Sequence, residues 1–178
     1  MTNILPIIRF RTDGNSIIGF GHIYRCLSLA FMLKGHFKIL FYTQKLPDEI
    51  LKLINDAGIG HKAIQDEADF LQDITSQDLI VLDGYSFTEE YQRQLQSLNT
   101  ILVVIDDLHN NVFYADLIIN HAPSIQPSEY ISPAYSFMAL GPDFALLRPK
   151  FIELAASAKQ RETNERLFIC FGGSDPEN

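Results

Sequence analysis

Short apolar runs alternate with segments of helical periodicity along nearly the whole chain, and that alternation leaves few folds open. Residues 4–10 read as a first strand. After a polar stretch come Gly19-Phe20-Gly21-His22 and an apolar-periodic segment over 22–34 that reads as a helix. A second strand is expected over 37–42, a second helix over 47–57, a third strand over 59–64 and a short helix over 67–74. Residues 78–83 form a strongly apolar strand bounded by Gly84. Residues 88–98 read as a helix with Thr88 as N-cap and Tyr91, Leu95 and Leu98 on one face. Strands follow over 100–105, 116–120 and 136–140, and a helix opens at Pro149 and runs to 159. Strands alternating with helices predict an α/β fold, a Rossmann-like doubly wound parallel sheet. Residues 121–135 hold three of the eight prolines and read as a long loop across the top of that sheet.

Function classes are narrowed by charge and composition. The 178 residues carry a formal net charge of −8, so no nucleic-acid partner is expected. No apolar run approaches the roughly 20 residues that span a bilayer, and no signal-peptide pattern opens the chain. Cys26 and Cys170 both fall in apolar segments, as buried thiols of a reducing cytoplasm do, and a cytoplasmic location is expected.

The glycine turn offers the most chemistry. Strand-to-helix turns lie at the carboxyl edge of a parallel sheet, where open α/β proteins bind ligands. Gly19 and Gly21 allow close backbone approach, the helix amino end favours negative charge, and Arg25 is a nearby cation. His22 is the candidate general base, since an ordinary imidazole titrates near pH 6.5. A dinucleotide site does not fit. Tyr24 stands where the third glycine of that fingerprint would be, and no acid follows Phe41-Tyr42-Thr43. Arg11 and Asp13 precede the turn and either pair to shape it or contact substrate. Asp83, Tyr85, Asp106, Asp107 and Asn120 end or follow later strands at the same edge. Asp106-Asp107-Leu108-His109 has no further histidine at helical ligand spacing, so no metal and no cofactor are expected.

Taken in series, these residues resemble a known family. Arg11-Thr12-Asp13, then Ile18-Gly19-Phe20-Gly21-His22 and Arg25-Cys26-Leu27-Ser28-Leu29-Ala30 are similar to the opening of the PseG/SpsG family. The similarity continues through Asp83-Gly84-Tyr85, Asp106-Asp107, Asp116 to Asn120, Leu140-Gly141, Ala145-Leu146-Leu147-Arg148 and Phe151, and ends on Gly172-Gly173-Ser174-Asp175. The resemblance implies the amino-terminal half of a two-domain GT-B-type architecture. It also implies hydrolytic release of UDP from a UDP-linked diacetamido-trideoxy sugar in surface-glycan biosynthesis of the pseudaminic acid type. His22 falls on the family's base and Tyr85 on its sugar-side tyrosine. Arg11, Asp13, Gly19, Gly21, Arg25, Asp83, Asp107, Asn120, Arg148, Gly173 and Ser174 fall where substrate contacts are expected. Asp13-Gly14-Asn15-Ser16 departs from a more serine-rich run in the family. A GT-B glycosyltransferase using a UDP-sugar donor and a non-catalytic sugar-nucleotide-binding module remain alternatives.

The carboxyl end sets the expected domain boundary. Residues 160–165 are polar and linker-like, and 166–171 read as a strand followed by the Gly-Gly-Ser turn. A strand with such a turn begins a second α/β unit. Residues 1–160 are therefore expected to form the catalytic domain. Residues 161–178 are expected to be a linker and the first strand of a nucleotide-binding domain, in a chain that is part of a longer protein. The expected partners are the UDP-sugar and that second domain, with the oligomeric state left open.

Overall fold

A computed structural model describes residues 5–157. The expected strand over 166–171, the Gly172–Asp175 turn and Cys170 lie outside the described residues. The elements run β1 (Ile7–Thr12), α1 (Gly21–Leu33), β2 (Lys38–Thr43), α2 (Asp48–Asp56), β3 (Gly60–Ala63), α3 (Glu67–Gln72), β4 (Leu79–Asp83), α4 (Glu89–Ser97), β5 (Ile101–Ile105), β6 (Leu117–Asn120), β7 (Phe137–Leu140) and α5 (Pro149–Ala156). All strands pair in parallel, in the order β3-β2-β1-β4-β5-β6-β7. This is the doubly wound sheet that the alternating pattern predicts.

Both faces are covered, which explains the near-continuous apolar strands. In α1 the stripe Ile23, Cys26, Leu27 and Ala30 recurs at helical spacing and packs with Ile50 and Ile54 of α2 on Ile8, Phe10, Phe41 and Val81. Phe70 of α3 and Leu95 of α4 cover the other face, over Ile80, Leu82 and Val104. Thr88 caps α4 as expected, its hydroxyl accepting from the Tyr91 N–H.

Two local readings change. β1 does not stop at Phe10 but continues to Thr12, with Arg9 and Arg11 turned to the α3/α4 face. Two arginines inside a central strand are sustained by carboxylates. Arg9 pairs with Asp78 at 3.0 Å, and Arg11 pairs with Glu67 at 2.6 Å and Asp13 at 2.7 Å. The 121–135 loop is also pinned rather than merely draped. It contains a 3-10 turn, Pro127–Glu129, and it buries Tyr130 against Phe113.

The order reverses between β1 and β4: the chain leaves β1 toward β2 and β3, then returns to pair β4 on the other side of β1. The crevice at such a reversal, beyond the strands' carboxyl ends, is where ligands bind in open α/β sheets. The β1–α1 turn and the end of β4 both open onto it.

Candidate active site

His22 is the second residue of α1, and Asp83 is the last of β4. They meet across the reversal, His22 Nδ1 lying 2.7 Å from Asp83 Oδ1. Asp83 is 0% exposed and His22 6%, yet the imidazole is not enclosed by apolar groups. Arg25, one turn along α1, donates from Nε to Asp83 Oδ2 at 3.0 Å and from Nη2 to Oδ1 at 2.6 Å. Its Nη1 reaches Asp107 Oδ2 at 2.5 Å, just beyond β5. The Tyr85 hydroxyl donates to the same Asp107 oxygen at 3.3 Å, and its ring stands edge-on to His22 with centroids 4.6 Å apart.

This arrangement fixes the histidine tautomer. A carboxylate oxygen 2.7 Å from a ring nitrogen requires a hydrogen between them, so Nδ1 carries the proton. Arg25 Nη2 lies 2.9 Å from that nitrogen because both groups donate to the same oxygen. Nε2 then holds the lone pair, and among the described residues nothing hydrogen-bonds to it. A buried carboxylate that orients an imidazole in this way prepares it to take a proton and stabilises the cation that results.

Charge is shared unevenly. Burial pulls the Arg25 guanidinium down. The hydrogen bond to Asp83 and the charges of Asp83 and Asp107 outweigh it, so the group ends above its ordinary value and stays cationic. Burial, then the Asp107 charge, raise the Tyr85 phenol, which stays protonated. Burial and the Asp83 charge raise Cys26 well above a usual thiol; it is a packing residue behind Asp83, as its apolar segment suggests.

His22 stands where two clefts join. An inner cleft of about 190 Å³ is lined by Arg25, Tyr85, Phe87, Asp107, Asn110 and Asn111, among others. An outer one of about 340 Å³ is bounded by Asp13, Ile18, Tyr85, Ser86 and Phe87. Glycine 19 adopts φ +81, a conformation that favours glycine, and makes the turn into α1. A Cβ at Gly21 would meet nothing within 4 Å, so packing does not demand glycine there. Neither glycine lines either cleft.

The structure brings His22, Asp83, Tyr85 and Asp107 together and turns others to internal work. Arg11 is 1% exposed and spends its donors on Glu67, Asp13 and the Thr12 carbonyl, so of the two readings of Arg11 and Asp13 the pairing is the one seen. Asp13 also accepts from the Gln44 N–H while bordering the outer cleft. Asn120, 1% exposed, is tied to the Tyr130 hydroxyl and the Ala122 N–H and does not reach the clefts, because Tyr130 fills the space above it. Asp106 is likewise engaged, by Tyr130 and the N–H groups of Leu108 and His109. Arg25 faces carboxylates rather than an open anion site. Arg148 is exposed and flanks the first turn of α1, its guanidinium over the rings of Tyr24 and Phe151. Gly173 and Ser174 lie outside the described residues. Phe87, Asn110 and Asn111 were not among the expected site residues; the asparagine pair separated by two residues from Asp106-Asp107 was the available signal.

Comparisons with known proteins find distant relatives. The chain is 26% identical, over 96% of its length, to UDP-2,4-diacetamido-2,4,6-trideoxy-beta-L-altropyranose hydrolase of Campylobacter jejuni, and covers 62% of that protein. It is 25% identical, over 93% of its length, to the spore coat polysaccharide biosynthesis protein SpsG of Bacillus subtilis, covering 50% of it. An uncharacterized protein of Methanocaldococcus jannaschii is 30% identical over 94% of the chain, which spans 37% of that relative. The chain thus spans about half the length of these relatives. No family model matches it, and no solved structure matches it. The chain is thus distantly similar to PseG- and SpsG-type proteins, one named as a UDP-sugar hydrolase and the other as a spore coat polysaccharide biosynthesis protein. Among the described residues no helix is long and apolar enough to cross a membrane.

Proposed function

We propose that the full-length protein hydrolyses a nucleotide sugar, releasing UDP from a UDP-linked diacetamido-trideoxy sugar for surface-glycan synthesis. The observation that carries this reading is the Asp83–His22 pair at the sheet's reversal point, with Nε2 beside a cleft and unengaged among the described residues. His22 Nε2 takes a proton from water. The water oxygen forms a bond to the anomeric carbon, and the bond from that carbon to the phosphate oxygen breaks, its electron pair leaving with the diphosphate. Asp83 stabilises the imidazolium that forms. The products are the free sugar and UDP.

Charge orients the substrate. Among the described residues, Asp83 and Asp107 stand around His22 against the single cation Arg25, which both carboxylates already occupy. A diphosphate would be repelled from that balance, so the sugar enters the clefts and the diphosphate points outward. Arg148, the only arginine among the described residues without a carboxylate partner, is the cation that meets it. In this reading residues 1–160 are the sugar-facing half of a GT-B-type pair of domains. The domain that begins after residue 160 holds most of the nucleotide.

The test is incubation of the full-length protein with the UDP-diacetamido-trideoxy sugar and no acceptor. UDP and free sugar should appear in equal amounts. Release of UDP only when an acceptor is supplied, or no release at all, would overturn the reading.

A further inference from the structure

We propose that the inner cleft beside His22 is a pocket for one acetamido group of the sugar, and that Asn110 and Asn111 are the specificity-determining residues that recognise it. The inference rests on the proposed nucleotide-sugar reading and deepens it. Size gives the first argument. Sites that enclose a whole small ligand are roughly 300–1,000 Å³. The outer cleft, at about 340 Å³, falls within that range, and the inner one, at about 190 Å³, falls below it. The two share His22, Tyr85 and Phe87, so a sugar ring seated in the outer cleft reaches the inner one through a substituent.

The lining selects that substituent. Phe87 and Phe113 are buried aromatic walls, and Phe87 is held by stacking on Tyr91 with centroids 5.6 Å apart. They offer apolar contact to a methyl group and nothing to a lone hydroxyl. Asn110 and Asn111 each carry an amide with donors and an acceptor, and among the described residues neither side chain has a hydrogen-bond partner. An acetamido group matches both features. Its methyl meets the rings, its carbonyl accepts from an asparagine N–H, and its own N–H donates to an asparagine carbonyl.

Charge disfavours the alternatives. An anionic substituent would meet Asp83, Asp106 and Asp107, with Arg25 already engaged by two of them. An ammonium finds no open carboxylate. Asp83 holds His22 and Arg25, Asp106 holds Tyr130 and two backbone N–H groups, and Asp107 Oδ2 holds Arg25 and Tyr85. Asp107 Oδ1 has no partner among the described residues, but it is shut away from solvent. The segment that carries the asparagines is fixed at both ends. The N–H groups of Leu108 and His109 donate to Asp106 before it, and Val112 bridges to Ile131 after it. Such a segment has less freedom to lose when the sugar binds.

The test compares the full-length parent with the double variant Asn110→Ala/Asn111→Ala. Both side chains are exposed and unpartnered among the described residues, so the variant should fold as the parent does. The substrates are the UDP-linked diacetamido sugar and two analogues, each with one acetamido group replaced by a free amine. The parent should prefer the diacetamido sugar over one of the analogues by at least about tenfold in kcat/KM, and the variant should lose most of that preference. A parent indifferent to both replacements, or a variant that keeps the preference, would overturn the inference while UDP release upholds the proposed function. A parent that binds the diacetamido sugar without releasing UDP would count against the proposed function alone. The same ratios, read as Kd by calorimetry, would then decide the pocket.

Discussion

His22 and Asp83 are 61 residues apart in sequence and 2.7 Å apart in space, joined across the point where the strand order reverses. The contact depends on β1 and β4 being neighbours, because the turn after one and the end of the other supply the two groups. Fold and chemistry are thus linked through one hydrogen bond. Replacing Asp83 by Asn removes the charge and blurs the tautomer preference. In the full-length protein the turnover number should fall by about 10²–10⁴, the worth of a positioned base. The same change leaves Arg25 without its principal partner, and urea unfolding should show a loss of about 3–5 kcal/mol, the usual result of breaking a buried pair.

Gly21 tests how far the site extends along the turn. Its Cβ position is open and it begins a helix, so Gly21→Ala should leave stability unchanged or raise it by about 0.5 kcal/mol. Gly21 lines neither cleft, so the KM for the UDP-sugar should stay close to the parent value, and a large rise would place the substrate against this turn. Thermal unfolding and steady-state kinetics on the same variant read the two effects independently.

Acid stability offers a test away from the site. Asp73 is held below the ordinary carboxyl range, chiefly by its hydrogen bond from Lys62 and further by the Tyr42 hydroxyl. A carboxylate depressed in the folded state contributes stability that is fully present above its unfolded value, near pH 4, and is lost as pH falls through the folded value. Urea midpoints measured from pH 6 down to pH 2.5 should therefore fall less steeply below pH 4 in Asp73→Asn than in the parent.

Much of this was legible in the sequence because it rests on local patterns. Apolar runs marked every strand but β3, whose Gly60-His61-Lys62-Ala63 is only flanked by Ile59 and Ile64; Thr88 marked a cap, and the glycine turn placed His22 at the carboxyl edge. What escaped depends on distant partners. Arg11 read as a loop residue beyond a strand ending at Phe10; Glu67, 56 residues away, is the partner that sustains it inside β1. Arg25 looked like a free cation, and only the tertiary fold brings Asp83 and Asp107 to it. Asn120 sits at the correct edge, yet Tyr130 folds over it from a segment with no periodicity to betray its burial.

The most direct test of the account is UDP release by the full-length protein carrying His22→Ala, measured at saturating UDP-sugar alongside UDP affinity by calorimetry. Turnover should fall by about 10²–10⁴ while UDP binds as tightly as to the parent, because the base is lost and the nucleotide contacts are not. A variant that releases UDP at the parent rate would contradict the assignment of His22 as the base.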